Sequence, residues 1–170
     1  MDIRIKNYLG TGLLVKDLIT FHEKELKGIH ILPKNDIHLI VSDKQGVEYT
    51  APIDEFVPVM KPLTAMLDPV MENDIENTLL FHMFLHATGE IRAIPEGTEF
   101  SNLYGSNFVG ISVQNHSYGF HYLFLYYVGI GFSLSNYGKP MHMGYPDKIF
   151  ELAYKYHIDL FGWLDELKKQ

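Results

Sequence analysis

A chain of 170 residues that is 46% hydrophobic and 14% aromatic has globular composition and can bury roughly two-thirds of its unfolded surface. It contains no cysteine, which excludes disulfide scaffolds, thiolate zinc sites and cysteine nucleophiles. The formal charge is -7, and Arg4 and Arg92 are the only arginines among the 14 basic residues. The basic face of a nucleic-acid binder is therefore not visible, and the acids are too dispersed to imitate a phosphate ladder.

Met1 to Lys6 alternate apolar and charged, without the apolar core of a signal peptide. The longest apolar run, Tyr122 to Phe132, is too short to span a bilayer, which takes about 20 residues. The expected location is the cytoplasm, with no membrane partner. The length prior predicts one domain over residues 1–170, with lobes 1–60 and 70–170 as the alternative division.

Residues 1 to 60 read as a β meander, in the manner of a small barrel. Gly12 to Lys16, Gly28 to Leu32, Ile37 to Val41 and Val47 to Thr50 are short strands. Pro33-Lys34-Asn35-Asp36 and Asp43-Lys44-Gln45-Gly46 are turns. Pro52, Pro58, Pro62 and Pro69 then mark an extended connector. Apolar residues at Ile75, Leu79 and Met83, with His86, fall at helical spacing, and Gly89 reads as the C-cap. They predict a helix over about 70–88, opened at Asp68-Pro69 or nearer Asn73.

From Ile91 to Met143 the pattern returns to strand. Phe108 to Val113 is one strand. Tyr118 to Val128 is almost continuously apolar and reads as a strand covered on both faces. Asn136 to Pro140 is a turn. Pro146-Asp147 opens a helix with a stripe at Ile149, Phe150, Ala153 and Tyr156. A second helix holds Leu160, Phe161, Leu164 and Leu167. The fold class is α+β: a meander, a central helix, an aromatic-rich antiparallel sheet and two C-terminal helices. The pattern leaves open whether the two β regions form one sheet. A homodimer is the expected cover for any part of the aromatic sheet that the helices leave bare.

Three groups of residues bear on chemistry. His82 and His86 are four apart on the predicted helix and share a face, a spacing that can chelate a metal if a third ligand joins them from His116, His121, His142 or an acid such as Glu72. Met83 stands where the metalloprotease motif needs glutamate. His157-Ile158-Asp159 places a His beside an Asp. Helix geometry accounts for both, with Asp159 as an N-cap and His157 at a helix C-terminus. Tyr118, Phe120, Tyr122, Phe124 and Tyr126 alternate along one strand face. That stripe suits either the core or a planar ligand, with Arg92 and Lys139 to meet phosphate. The hydrolase elbow fails at both Gly110-Ile111-Ser112 and Gly131-Phe132-Ser133, and no dinucleotide or phosphate-loop motif is present. No catalytic residue and no cofactor is assigned.

Three phrases carry a resemblance. Asn7-Tyr8-Leu9-Gly10-Thr11-Gly12-Leu13 resembles a "YLPYGLK"-type opening. Val59-Met60-Lys61-Pro62-Leu63-Thr64 resembles "ILRPLSDL". The stretch Leu152 to Gly162 resembles the ending "LYKHHFDVFGLI". All three belong, in this order, to a family of small hypothetical proteins encoded by phages and prophages of Bacteroidota. The segment Gly105 to Met143 has no counterpart in that pattern. The resemblance implies a phage or prophage origin and a role inside the host cell, and it brings no catalytic residues. The expected function is non-catalytic binding to a host protein. The alternatives are a sponge for a nucleotide-like signal in anti-phage defence and a metal-dependent enzyme built on His82 and His86.

Overall fold

The computed structural model of the chain describes residues 2–89 and 94–164. These divide into two compact units. The first holds residues 2–61, 154–157 and 163–164, and the second holds 62–89, 94–153 and 158–162. The architecture is α+β, and the two β regions form separate five-stranded antiparallel sheets.

The first unit opens with a 3-10 helix, Ile3–Tyr8, whose N-cap Asp2 accepts the Arg4 backbone N–H. Strands β1 (Leu14–Asp17), β2 (Glu23–Leu32), β3 (Asp36–Ser42), β4 (Glu48–Pro52) and β5 (Phe56–Pro58) follow. Their order is β4-β3-β2-β1-β5. Alternation puts Leu13, Val15, Leu26, Leu39, Val41 and Phe56 into the core, each burial being worth about 1.5–3 kcal/mol. Tyr8 is fully buried and sits edge-on to Tyr154 at 4.9 Å.

The meander is present, but its second strand starts at Glu23, five residues before the expected Gly28, and the proline-rich stretch is not a plain connector. Phe56 to Pro58 is a strand, paired with β1 through Val15↔Pro58 and Asp17↔Phe56. Proline is tolerated there because β5 is an edge strand, with no neighbour awaiting its missing N–H. Pro62 begins a 3-10 turn over Leu63–Leu67, and the boundary between the units falls at Lys61 and Pro62.

In the second unit a hairpin of β6 (Pro69–Glu72) and β7 (Ile75–Thr78) precedes α1 (Leu79–Thr88). The expected helix over 70–88 is therefore corrected: it starts at Leu79. Asn73 and Asp74 both have positive φ, 51° and 62°, the two-residue turn that reverses a hairpin. Thr78 then caps the helix by accepting the Phe81 N–H at 3.2 Å. Gly89 closes it in the left-handed region at φ 72°, where a Cβ would be strained.

Strands β8 (Glu99–Tyr104), β9 (Phe108–Asn115), β10 (Phe120–Tyr127), β11 (Gly131–Asn136) and β12 (Lys139–Pro140) make the second sheet in the order β12-β11-β10-β9-β8. Helix α2 (Pro146–Lys155) follows, and its residues up to Ala153 belong to this unit. One sheet face is core. Val109, Ile111, Val113, Phe124, Tyr126 and Leu134 are buried on it, and Phe84 of α1 meets Tyr122 and Phe124 at 5.8 and 6.4 Å. Phe150 of α2 stands edge-on to Phe132 at 5.4 Å. The other face, with His121, Leu123, Leu125 and Tyr127, is only half-buried. The strand over 118–128 is thus covered on one face, not both, because both helices pack on the same side.

Leu160 and Phe161 lie in a turn, not in the expected second C-terminal helix. Helical residues begin at Trp163, and Leu167 lies outside the described residues.

Candidate ligand-binding site

Of the five residues expected to bind a ligand, the four described ones, Tyr118, Tyr122, Tyr126 and Lys139, do not form one site. Tyr118 is in the β9–β10 turn and 68% exposed, with its N–H bonded to Asn115 Oδ1. Tyr122 and Lys139 do share a row, since Asn136 pairs with both, but the Tyr122 ring packs on Phe84 and stacks on Phe120 at 5.1 Å. Tyr126 is buried, and its hydroxyl donates to the Leu160 carbonyl. That bond satisfies the one polar atom of a core tyrosine. Arg92 lies outside the described residues. The stripe from Phe120 to Tyr126 is a packing face.

His82 and His86 do lie one turn apart on α1. His82 is 4% exposed, and its Nε2 has no hydrogen-bond partner among the described residues. Burial pushes the pKa of both histidines down. For His82 the backbone of Val70 and the charge of Glu72 oppose this; for His86 Lys148 adds to it. Glu72, the acid proposed as third ligand, is thus within electrostatic reach of the pair. Even so, no three His, Asp or Glu groups converge as a metal site among the described residues. His157 sits just past α2 at φ 57° and gives its Nε2–H to the Thr11 carbonyl at 2.9 Å. Asp159 accepts the Phe161 N–H. Both are held by backbone partners.

Ser112 Oγ and His121 Nε2 are 2.9 Å apart on the half-buried face of the second sheet. A nucleophile and a base in contact are not sufficient for acyl transfer. The developing oxyanion needs donors aimed at it, and the β9 backbone is paired on both sides, with β8 and with β10.

The cavity that stands out is in the first unit. It is a half-open cleft of about 530 Å³. That is within the range of small-molecule sites. Two turns build it, and each is organised by an aspartate. Asp17, 7% exposed, ends β1. Its Oδ1 accepts the N–H groups of Ile19 and Thr20 at 2.8 and 2.9 Å, and its Oδ2 accepts the Tyr49 hydroxyl at 3.1 Å. These bonds, the Thr20 N–H foremost, hold its carboxyl below the usual range. Asp43, the residue after β3, opens its turn in the same way, accepting from Gln45 and Val47 at 2.8 and 3.0 Å. Its carboxyl is also held low, chiefly by the Val47 N–H. Both are side-chain-to-backbone turns, the use to which aspartate is best suited.

The turns and strand ends carry Lys16, Phe21, His22, Lys24 and Lys44 to the cavity wall. The Lys24 ammonium lies over the Tyr49 ring at 5.5 Å, and the Lys16 ammonium over the Phe21 ring at 5.7 Å. None of the three lysines forms a salt bridge among the described residues. Two carboxylates share the cavity, those of Glu23 and Asp43, and Asp43 is committed to its own turn. An arrangement of ammonium groups and an aromatic ring, with no nucleophile beside a base, can bind and orient an anion.

Sequence pattern locates the β3–β4 turn but neither the β1–β2 turn nor the cavity, because its residues come from three strand ends that only those two turns bring together. One signal was available. Leu18, Ile19 and Phe21 form an apolar cluster in a segment that must turn. No protein-family model, no curated protein and no solved structure matches the chain.

Proposed function

We propose that the protein is a non-catalytic binding protein that takes a small anionic ligand in the cavity of its first unit. One observation carries this reading. Three lysines, Lys16, Lys24 and Lys44, face two carboxylates, Glu23 and Asp43, around one cavity, in a chain whose formal charge is -7. The carboxylates offset part of the gathered positive charge, Asp43 within electrostatic reach of Lys24, and the excess costs energy unless something compensates it. A bound anion supplies that compensation. In a phage-type accessory protein such a site would remove a signalling molecule from solution.

The test is calorimetric titration of the whole chain with inorganic pyrophosphate, beside Lys24→Gln and Lys44→Gln. Saturable binding that both variants weaken supports the proposal. Absence of binding at millimolar pyrophosphate overturns it.

A second reading, capture of a host protein, is favoured by Ile19. It is 69% exposed on the turn beside the cavity, and an exposed aliphatic side chain there suits a protein contact. Loss of a co-purifying host protein in Ile19→Asp, with pyrophosphate binding unchanged, would support that reading.

A further inference from the structure

We infer that the anion carries a planar ring, and that Phe21 is the residue that stacks on it, so that the ligand class is a free mononucleotide or a similar aromatic phosphate. This rests on the anion-binding reading above and adds the ring to it.

The argument starts from a residue that is badly placed for folding. Phe21 has φ 60°, the left-handed region, where a bulky side chain is an outlier and Gly or Asn is preferred. Its backbone is held there, with its N–H bonded to the Asp17 carbonyl at 2.8 Å. The conformation is set by the turn, so the side chain is a separate choice. Phe21 does not serve the core, since its ring is 68% exposed. It lines the cavity instead, with the Lys16 ammonium over the ring. Backbone strain at an exposed aromatic that borders a cavity is the pattern of a functional position. A flat hydrocarbon face beside ammonium groups matches a flat, apolar ring that carries phosphate.

A free ligand is favoured over a nucleic-acid strand on electrostatic grounds. At physiological salt a charge is felt over about 8 Å. A small anion in the cavity meets three lysines against the two carboxylates of Glu23 and Asp43. A strand running beyond it meets the rest of a chain of formal charge -7, without the row of phosphate contacts that strand binding requires.

The experiment titrates the full chain with pyrophosphate, with adenosine monophosphate and diphosphate, and with a single-stranded oligonucleotide. Each is repeated on Phe21→Asn and Phe21→Trp. Asparagine tolerates positive φ, so Phe21→Asn should fold at least as well as the parent, which thermal melting checks. The expected result is that the diphosphate nucleotide binds more tightly than pyrophosphate. Phe21→Asn should lose that advantage, read as the ratio of nucleotide to pyrophosphate affinity and at least about fivefold for one stacked ring, and Phe21→Trp should keep it. Equal affinity for pyrophosphate and nucleotide, or a ratio indifferent to Phe21→Asn, overturns the ring and leaves the anion site standing. Failure of pyrophosphate and nucleotides alike overturns both. Tighter binding of the oligonucleotide than of any mononucleotide overturns the free ligand.

Discussion

The Tyr49 hydroxyl donates to Asp17 Oδ2 at 3.1 Å, tying the end of β1 to β4 across 32 residues of chain. The same carboxylate holds the Ile19 and Thr20 amides, so one side chain fixes both the turn and its distance from the neighbouring strands. The Tyr49 phenol titrates above its ordinary range because burial and the Asp17 carboxylate both disfavour its anion. The cavity therefore depends on a bond that contacts no ligand.

Asp17→Ala removes three acceptor contacts and leaves two backbone N–H groups to find water. A hydrogen bond to a charged group contributes about 1.5–3 kcal/mol, and the turn is partly solvated, so a loss of about 2–4 kcal/mol is expected in urea denaturation. Tyr49→Phe removes one contact and should cost about 1 kcal/mol. The pH dependence follows from the lowered Asp17 pKa. The unfolded chain takes up the proton first as acid is added. The stabilisation is thus present above about pH 4, the ordinary aspartate value, and is lost as pH falls through the folded value. Asp17→Asn should flatten that limb of the curve.

How far the sequence discloses this fold depends on the length over which a pattern operates. Val15 and Asp17 alternate, Asp43 to Gly46 is a turn in composition, and the first four strands follow from such local signals. The hairpin at Asn73-Asp74 did not, because Ile75, Leu79, Met83 and His86 also satisfy helical spacing, and turn chemistry decides against spacing only where two residues accept positive φ. The pairing of β5 with β1 joins Phe56 to Asp17, and no local pattern signals it. Alternation puts Tyr118, Phe120, Tyr122, Phe124 and Tyr126 on one face, and the strand keeps the last four of them while Tyr118 falls in the turn before it. That α1 covers this face, through Phe84 on Tyr122, depends on a tertiary contact. The lysine cavity is of the same kind, since Lys16, Lys24 and Lys44 are unremarkable surface residues until the two turns meet.

His82 offers a test in the second unit. It is buried, neutral and lacks a partner at Nε2 among the described residues, and burial lowers its pKa and that of His86. The unfolded chain binds these protons more readily than the folded one. Stability should be full above about pH 6.5, the ordinary histidine value, and should fall as pH drops below it. His82→Leu removes both the titration and the unsatisfied nitrogen, a group that costs about 1–3 kcal/mol when left unpaired. The variant should show a shallower loss of stability between pH 7 and pH 5 than the parent, measured as the urea midpoint at each pH. An identical slope would mean that His82 takes up its proton as readily in the folded protein as in the unfolded chain.

Gly110 shows how tightly β9 lies on β10. A Cβ at that position would stand 2.2 Å from Leu125 Cδ2 and 2.8 Å from the Phe124 carbonyl oxygen. The leucine can rotate away, but the paired backbone cannot. Overpacking of this kind typically costs about 1–3 kcal/mol. Gly110→Ala should therefore lower the midpoint of thermal unfolding. It should leave pyrophosphate binding intact at temperatures where the variant is folded, because the cavity residues all belong to the first unit.

The charge balance of the cavity makes the last prediction. Glu23 is cross-strand to Lys16 and lines the same space, so its charge opposes an incoming anion. At a separation of roughly 6 Å in water, two unit charges interact with about 0.7 kcal/mol, close to a threefold effect on affinity. Glu23→Gln should tighten pyrophosphate binding by about that factor, and Lys44→Gln should weaken it by a similar one. Both effects should shrink as salt is raised, because exposed charges are screened within about 10 Å at 0.1 M. Opposite signs for the two variants, converging at high salt, would identify direct electrostatic attraction in the cavity. Weakening by both would mean instead that Glu23 shapes the site by holding Lys16, and affinity would then follow the thermal stability of the turn rather than ionic strength.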